Sequence, residues 1–239
     1  HHLDAYTTEE KIRLNNFLRI FSPELFAISV NSPISQYRIT QWKSFRASRE
    51  YFDISKSINP NIKPTPYLSA EDIERGYLLE FEYEKTFEKK RKKSRYYDIT
   101  PFTKTDRYTN TWKPTVEVRL FDTQPSILLT IAYAALLRAL ALKSVEFNHC
   151  PNIEVTYNRK MAIEEGIQAK FIIDGNMKRY ESLPYYRFPN SIVAYKSVKN
   201  LLNWVNSEIK SLGYEKFIRP LTHMLHQQRD LADWQIRLY

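Results

Sequence analysis

Apolar residues recur at helical spacing close to the start of the chain. Ile12, Leu14, Phe17, Leu18 and Phe21 share one face and predict a helix running up to Pro23. Thr7, followed three residues later by Glu10, is a capping-box pattern at its beginning. A second apolar segment, Leu25 to Val30, stops at the turn signal Asn31-Ser32-Pro33. Residues 34 to 50 carry Ser, Arg, Gln and aromatics with no clear period, which predicts a loop with short ordered pieces. The prolines between Asn59 and Pro66 mark an irregular connector, and Ser69 with Asp72 opens a helix leading to a basic cluster.

The pattern then changes period. Tyr96 to Ile99 and Thr115 to Phe121 read as strands. In the second, Val116, Val118 and Leu120 fall on one face while Glu117 and Arg119 fall on the other. Pro125 suits a first helical position. The apolar run from Ile127 to Leu142 carries only Arg138 and is shorter than the roughly 20 residues that span a bilayer. It predicts a core helix, buried nearly all round. Beyond it, the pattern predicts a short helix around Asn158 to Gly166, a strand over Ala169 to Ile173 and a loop over Tyr180 to Pro189. Two closing helices follow, Val193 to Leu212 and Tyr214 to Tyr239, with Leu201, Leu202, Val205 and Ile209 on one face. With no repeat and no low-complexity linker, residues 1–239 read as one α+β domain.

Composition narrows the chemistry. Only 4 glycines are present, and neither G-x-G-x-x-G nor a Walker-type loop occurs. Cys150 is the only cysteine, which excludes an intrachain disulfide and a thiolate zinc cluster. The pattern points to a soluble, cytoplasmic protein. Much of the net charge of +9 sits in Lys89 to Lys93 with Arg95 nearby. Such a run reads first as a solvated face, with an anionic ligand as the alternative. Glu80, Glu82, Glu84 and Glu88 offer it local partners, which weighs against nucleic acid.

Glu117 and Arg119, two apart on one strand face, form a plausible half-site. A carboxylate can hold a hard cation, and a guanidinium can meet a phosphate oxygen. A bare Glu-x-Arg is weak, because an amphipathic strand facing water looks the same.

Four ordered segments strengthen the reading. Thr115 to Pro125 with the Ala/Leu helix after it is the first. Asn31-Ser32-Pro33 followed by Ser44-Phe45-Arg46 is the second, and Tyr97-Asp98-Ile99 the third. The fourth is Asn158-Arg159 with Gly166, together with the terminal Ala232-Asp233-Trp234-Gln235-Ile236-Arg237. Together they resemble the C-terminal portion of the type 2 glutamate–cysteine ligase family, also described as carboxylate–amine ligases. That family carries a Glu-x-Arg strand with its following helix, a Ser-Tyr-Arg where Ser44-Phe45-Arg46 stands, and a Gln- and Arg-rich closing helix.

The resemblance implies a glutamine-synthetase-like fold, in which a curved antiparallel sheet backed by helices holds ATP and metal ions on its concave face. This chain would supply only part of that sheet. It also implies joining of an amino-acid carboxylate to an amine, typically glutamate to cysteine, at the expense of ATP and with Mg²⁺. Glu117 would then ligate the metal, Arg119 would contact the transferring phosphoryl group, and Arg46 a phosphate or substrate carboxylate. The family's His-x-His strand before the first helix would place its second histidine at His2, a metal ligand or ATP contact. Two histidines at a chain start are equally the mark of a purification tag. His223 and His226, three apart, read as ordinary helix residues.

The family's chains extend further on the N-terminal side, where a strand of paired carboxylates binds metal. Glu80, Glu82 and Glu84 do not replace it, since they fall in a predicted helix. A partner chain or further N-terminal segment is therefore expected to complete the sheet, and an oligomer is expected. Two rival readings remain: a non-catalytic subunit that completes such a partner, and a nucleic-acid-binding module built on Lys89 to Lys93.

Overall fold

A computed structural model describes residues 1–48, 99–100, 103–104, 112–113, 115–146, 153–172 and 191–239. The basic run Lys89 to Lys93, Glu80 to Glu88, the helix predicted after Ser69, Tyr97-Asp98, Cys150, the 59–66 connector and the 180–189 loop lie outside these residues.

The described residues form an α+β arrangement, mostly helical, with small antiparallel sheets. In chain order they are β1 (His2–Asp4), α1 (Thr8–Ile20), α2 (Ser22–Ser29), β2 (Ile34–Ser35), β3 (Arg38–Ile39), β4 (Ile99–Thr100), β5 (Thr103–Lys104), β6 (Trp112–Lys113) and β7 (Thr115–Val118). Then follow α3 (Ile127–Lys143), α4 (Ile153–Glu165), β8 (Lys170–Ile172), β9 (Ser191–Val193), α5 (Ala194–Trp204), α6 (Asn206–Ser211), α7 (Glu215–Gln227) and α8 (Leu231–Leu238).

The capping box forms as its residues predict: the Glu10 N–H donates to Thr7 Oγ1 at 3.1 Å, and the Thr7 N–H donates to Glu10 Oε2 at 3.0 Å. The apolar segment at Leu25 is helical rather than merely apolar, with Pro23 in the first turn of α2, where its missing N–H costs nothing. The helix predicted around Asn158 is longer than its apolar pattern implied, and the two closing helices are four. Val205 and the left-handed Gln228 (φ 50°) are where they divide. His223 and His226 lie exposed on α7.

Two expectations for α3 need correction. Ser126, not Pro125, caps it, accepting the Leu128 N–H at 3.2 Å, so Pro125 lies outside the helix. Nor is it buried all round. Ala132, Tyr133, Leu136, Leu137, Ala139 and Leu140 enter the core, but Ile127, Leu128, Ile131 and Leu142 are exposed along one stripe. Leu, Ile and Ala are apolar on whichever face they fall, so composition alone cannot locate the wet side of such a helix. Among the described residues, no helix is long and apolar enough to cross a membrane.

The core forms where α2 packs on α4 and α5 while α3 packs on α6 and α7. Phe17, Phe21 and Trp204 meet with ring centroids 5.0–6.1 Å apart. Asn158 fixes β8 to α4: its side-chain amide donates to the Ile172 carbonyl at 2.9 Å and accepts the Ile172 N–H at 2.8 Å. Burying that amide is tolerated because both of its ends are bonded.

Gly166, just past α4, has φ +58° and approaches Asp230 so closely that a Cβ there would lie 2.0 Å from Asp230 Oδ2. Gly213 has a similar φ of +67°, yet nothing lies within 4 Å of its missing Cβ. Gly166→Ala should therefore destabilise by about 2–4 kcal/mol, combining left-handed strain with overpacking. Gly213→Ala should cost only about 1 kcal/mol of strain. Denaturant unfolding of both variants measures the difference, and equal losses would remove the role given to Asp230.

Candidate active site

The central strand of the three-stranded sheet is β7, flanked by β1 and β4. In the antiparallel register, Glu117 lies opposite His2 on one side and Thr100 on the other. Val116, Val118 and Leu120 are buried behind the strand, which sends Glu117 and Arg119 to its other face. They meet there: Arg119 Nε donates to Glu117 Oε1 at 2.5 Å. His2 Nε2 lies 3.8 Å from the same carboxylate oxygen, and His2 Nδ1 is 3.2 Å from Thr115 Oγ1. The Glu117 side chain is only 12% exposed, against 38% for Arg119 and 41% for His2, so a shielded carboxylate sits beneath two accessible cationic or polar heads. With Arg119 this open to water, the pair contributes at most about 1 kcal/mol to stability.

Arg46 comes to the end of the same strand. Its Nη1 donates to the Phe121 carbonyl and lies 3.7 Å from Asp122 Oδ1, within ion-pair range but too far for a hydrogen bond. The structure thus brings His2, Glu117 and Arg119 together and places Arg46 at the strand's exit.

Asp122 is the residue that sequence reasoning missed. Its side chain is buried. Oδ2 accepts the Asn31 N–H at 2.8 Å and the Ser32 hydroxyl at 2.8 Å, and Oδ1 accepts the Ser44 hydroxyl at 2.9 Å. Ser44 in turn accepts the Ala47 N–H at 3.2 Å, capping the helical turn that carries Arg46. Burial pushes the Asp122 carboxyl above its ordinary range, against the downward pull of the Asn31, Ser32, Ser44 and Arg46 donors. An aspartate directly after a strand looks like a turn residue. The signal that could have found it is its place inside the same quoted segment as Glu117 and Arg119.

A second buried carboxylate lies behind this one. Asp230 Oδ2 accepts from Lys43 Nζ at 2.9 Å and from the Ile167 N–H at 3.2 Å, while Oδ1 accepts the Asp233 N–H at 3.0 Å. Lys43 also reaches Asp233 Oδ1 at 2.6 Å. Burial raises the Asp230 carboxyl, opposed by Lys43 and the Asp233 N–H and reinforced by the Asp233 charge. Gln235 on α8 donates to Asn31 Oδ1 at 2.6 Å. The closing helix, Gly166, Ser44-Phe45-Arg46, the Asn31 turn and the Glu117 strand are therefore one connected polar assembly.

Against this geometry, the family model described as Glutamate-cysteine ligase family 2 matches residues 2–156, about two thirds of the chain. The chain belongs to that family. It is also 25% identical over 245 residues to a protein of Solibacter usitatus (strain Ellin6076) named "Putative glutamate--cysteine ligase 2". That match covers 100% of this chain and 56% of the relative, so the chain spans little more than half the relative's length.

Glu117 suits the implied cation. Mg²⁺ is commonly held by one or two carboxylates plus substrate phosphates, and a partly shielded carboxylate on the sheet face meets that demand. The His2 imidazole is a softer donor than Mg²⁺ prefers. Among the described residues, no three His, Cys, Asp or Glu side chains gather into a metal cluster.

The raised Asp122 carboxyl has a definite sign in stability. The native state holds this proton more tightly than the unfolded chain, so its contribution is greatest below the ordinary aspartate pKa of about 4 and falls as pH rises through the higher folded value. The stability of the natural chain minus that of Asp122→Asn should thus decline on going from about pH 4 to pH 7. Urea unfolding at several pH values measures it, and a difference that grows with pH would contradict the assignment.

Proposed function

We propose that this chain is the C-terminal portion of the catalytic domain of an ATP- and Mg²⁺-dependent carboxylate–amine ligase, forming a γ-glutamyl-type amide as a glutamate–cysteine ligase would. The observation that carries this reading is the meeting of Glu117 and Arg119, from the central strand and its exit, with His2 on the neighbouring β1 in a member of this family. A glutamine-synthetase-like sheet, of which β1, β7 and β4 would be part, accords with the antiparallel order.

A carboxylate does not acylate an amine unaided. Its oxygen attacks the γ-phosphorus of ATP, ADP departs, and the amine then displaces phosphate from the acyl phosphate. Little covalent chemistry falls to the protein, whose task is positioning and charge stabilisation. When bound, Mg²⁺ would supply positive charge to offset that of the phosphates. Glu117 would hold that ion, with His2 beside it as a second ligand or ATP contact. Arg119, held at its Nε by Glu117, presents the rest of its guanidinium fork to the transferring phosphoryl group. Arg46 meets a phosphate or substrate carboxylate from the neighbouring loop.

A second reading concerns partners. The exposed stripe of Ile127, Leu128, Ile131 and Leu142, in a chain that spans 56% of its relative, favours further polypeptide packing here, whether a partner or another part of a longer protein. Sedimentation showing self-association supports it; a monomer with full ligase turnover overturns it. The proposed setting is the cytoplasm, where ATP and free amino acids meet.

Glu117→Gln keeps the size and removes the charge. It should lower amino-acid-dependent ATP turnover by at least about 100-fold while the unfolding midpoint changes little. Retained turnover would remove Glu117 from the metal site.

A further inference from the structure

Asp122 draws together segments far apart in sequence. Its two oxygens hold the Asn31 N–H, the Ser32 hydroxyl and the Ser44 hydroxyl, and its charge faces Arg46. The Arg46 N–H also donates to Ser32 Oγ at 3.2 Å, and the Phe45 N–H to the Ser32 carbonyl at 2.9 Å, so the Asn31–Ser32 turn and the arginine's own backbone move as one. The carbonyl that receives Arg46 Nη1 belongs to Phe121, two residues beyond Arg119 and thus at most about 7 Å along the chain from it. Phe121 is held in turn: its ring stacks on Tyr133 with centroids 4.8 Å apart, and the Tyr133 hydroxyl donates to the Ile28 carbonyl at 2.8 Å. None of these bonds is made to Glu117 itself, and among them Asp122 is the one side chain that binds both the Asn31–Ser32 turn and Ser44 while facing Arg46.

We propose that Asp122 is a positioning residue of the ligase site: it fixes the Arg46 guanidinium and the Asn31–Ser32 turn at the exit of the Glu117–Arg119 strand, so that Arg46 meets an oxyanion bound next to Arg119. This rests on the ligase reading. The oxyanion is a phosphoryl group of the nucleotide or the carboxylate of the amino acid, and the two separate kinetically. A guanidinium on a flexible stem gains directional strength only when its fork is pre-set, because otherwise binding must also order the side chain. Two anchors on one Nη, the Phe121 carbonyl and the Asp122 charge, provide that ordering in advance.

The test is Asp122→Asn, alone and with Arg46→Gln, in the full chain. Alone, it should reduce kcat/KM by about 10–100-fold, the scale expected for a slightly misplaced contact. A rise in KM for ATP assigns the oxyanion to the nucleotide, and a rise in KM for the amino acid assigns it to the carboxylate. In the Arg46→Gln background, the same change should cost less than about threefold more, because its effect runs through Arg46. Fully additive losses would overturn the proposal.

A readout independent of turnover is the side-chain ¹⁵N spectrum of Arg46. Its guanidinium resonances should be sharp and slow to exchange in the natural chain, broadened in Asp122→Asn, and unchanged in Ser126→Ala, which only uncaps α3. Unaltered Arg46 resonances in Asp122→Asn would overturn the proposal. Altered resonances in a chain without ligase turnover would sink the ligase reading and leave the positioning intact. Should Asp122→Asn not fold, Ser44→Ala removes one of the carboxylate's hydrogen bonds and gives the same signals at smaller amplitude. Unaltered Arg46 resonances there count equally against the proposal.

Discussion

A carboxylate taken out of water must find donors inside the protein or give up its charge. Asp122, only 4% exposed, meets that constraint with three hydrogen bonds drawn from two other stretches of chain and a guanidinium beside them. Because its donors come from residues 31, 32 and 44, satisfying one side chain fixes where the Asn31 turn and the Ser44-Phe45-Arg46 segment sit against β7. Losing a donor would leave buried charge uncompensated, so alternative placements of these segments are costly. Asp230 repeats the device, locking Lys43 and the closing helix behind the same segment.

Asp122 and Asp230 serve the packing of these segments, and Glu117 is placed differently. Glu117 is shielded but faces outward, and its contacts, Arg119 and His2, are side chains that can rearrange around a ligand. The apolar back of β7, with Val116, Val118 and Leu120 in the core, keeps the strand from turning over. Rigid backing and a charged front suit the phosphoryl transfer proposed for this chain, since such a step depends on placement and electrostatics.

Much of this was legible from residues alone, where a local rule decides the outcome. The Thr7–Glu10 capping box and the shared face of Glu117 and Arg119 depend on spacing within one element, and both appear in the structure. Of the ordered segments that carried the family resemblance, the Asn31 turn, Ser44-Phe45-Arg46, the Glu117 strand, Gly166 and the closing helix proved to be neighbours in space, linked through Asp122, Lys43, Asp230 and Gln235. What could not be read depended on contacts between distant residues. Asp122 looks like a turn aspartate until Ser32 and Ser44 are seen to donate to it. The exposed stripe on α3 is marked in the sequence by Arg138 as the one charge between Ile127 and Leu142, and the breaks at Phe21 and Val205 fall inside continuous apolar patterns. The glutamine-synthetase-like sheet, the metal ligands and the completing partner came from resemblance rather than from the spacing of residues, and they stand as the functional proposal.

The central claim is that a carboxylate is activated by phosphorylation at this site. Its most direct measurement uses glutamate carrying ¹⁸O in the side-chain carboxylate, with ATP, Mg²⁺ and an amine acceptor, and follows the isotope into inorganic phosphate. The account predicts one labelled oxygen in each phosphate released, in step with amide formation. Amide formed with unlabelled phosphate would contradict it.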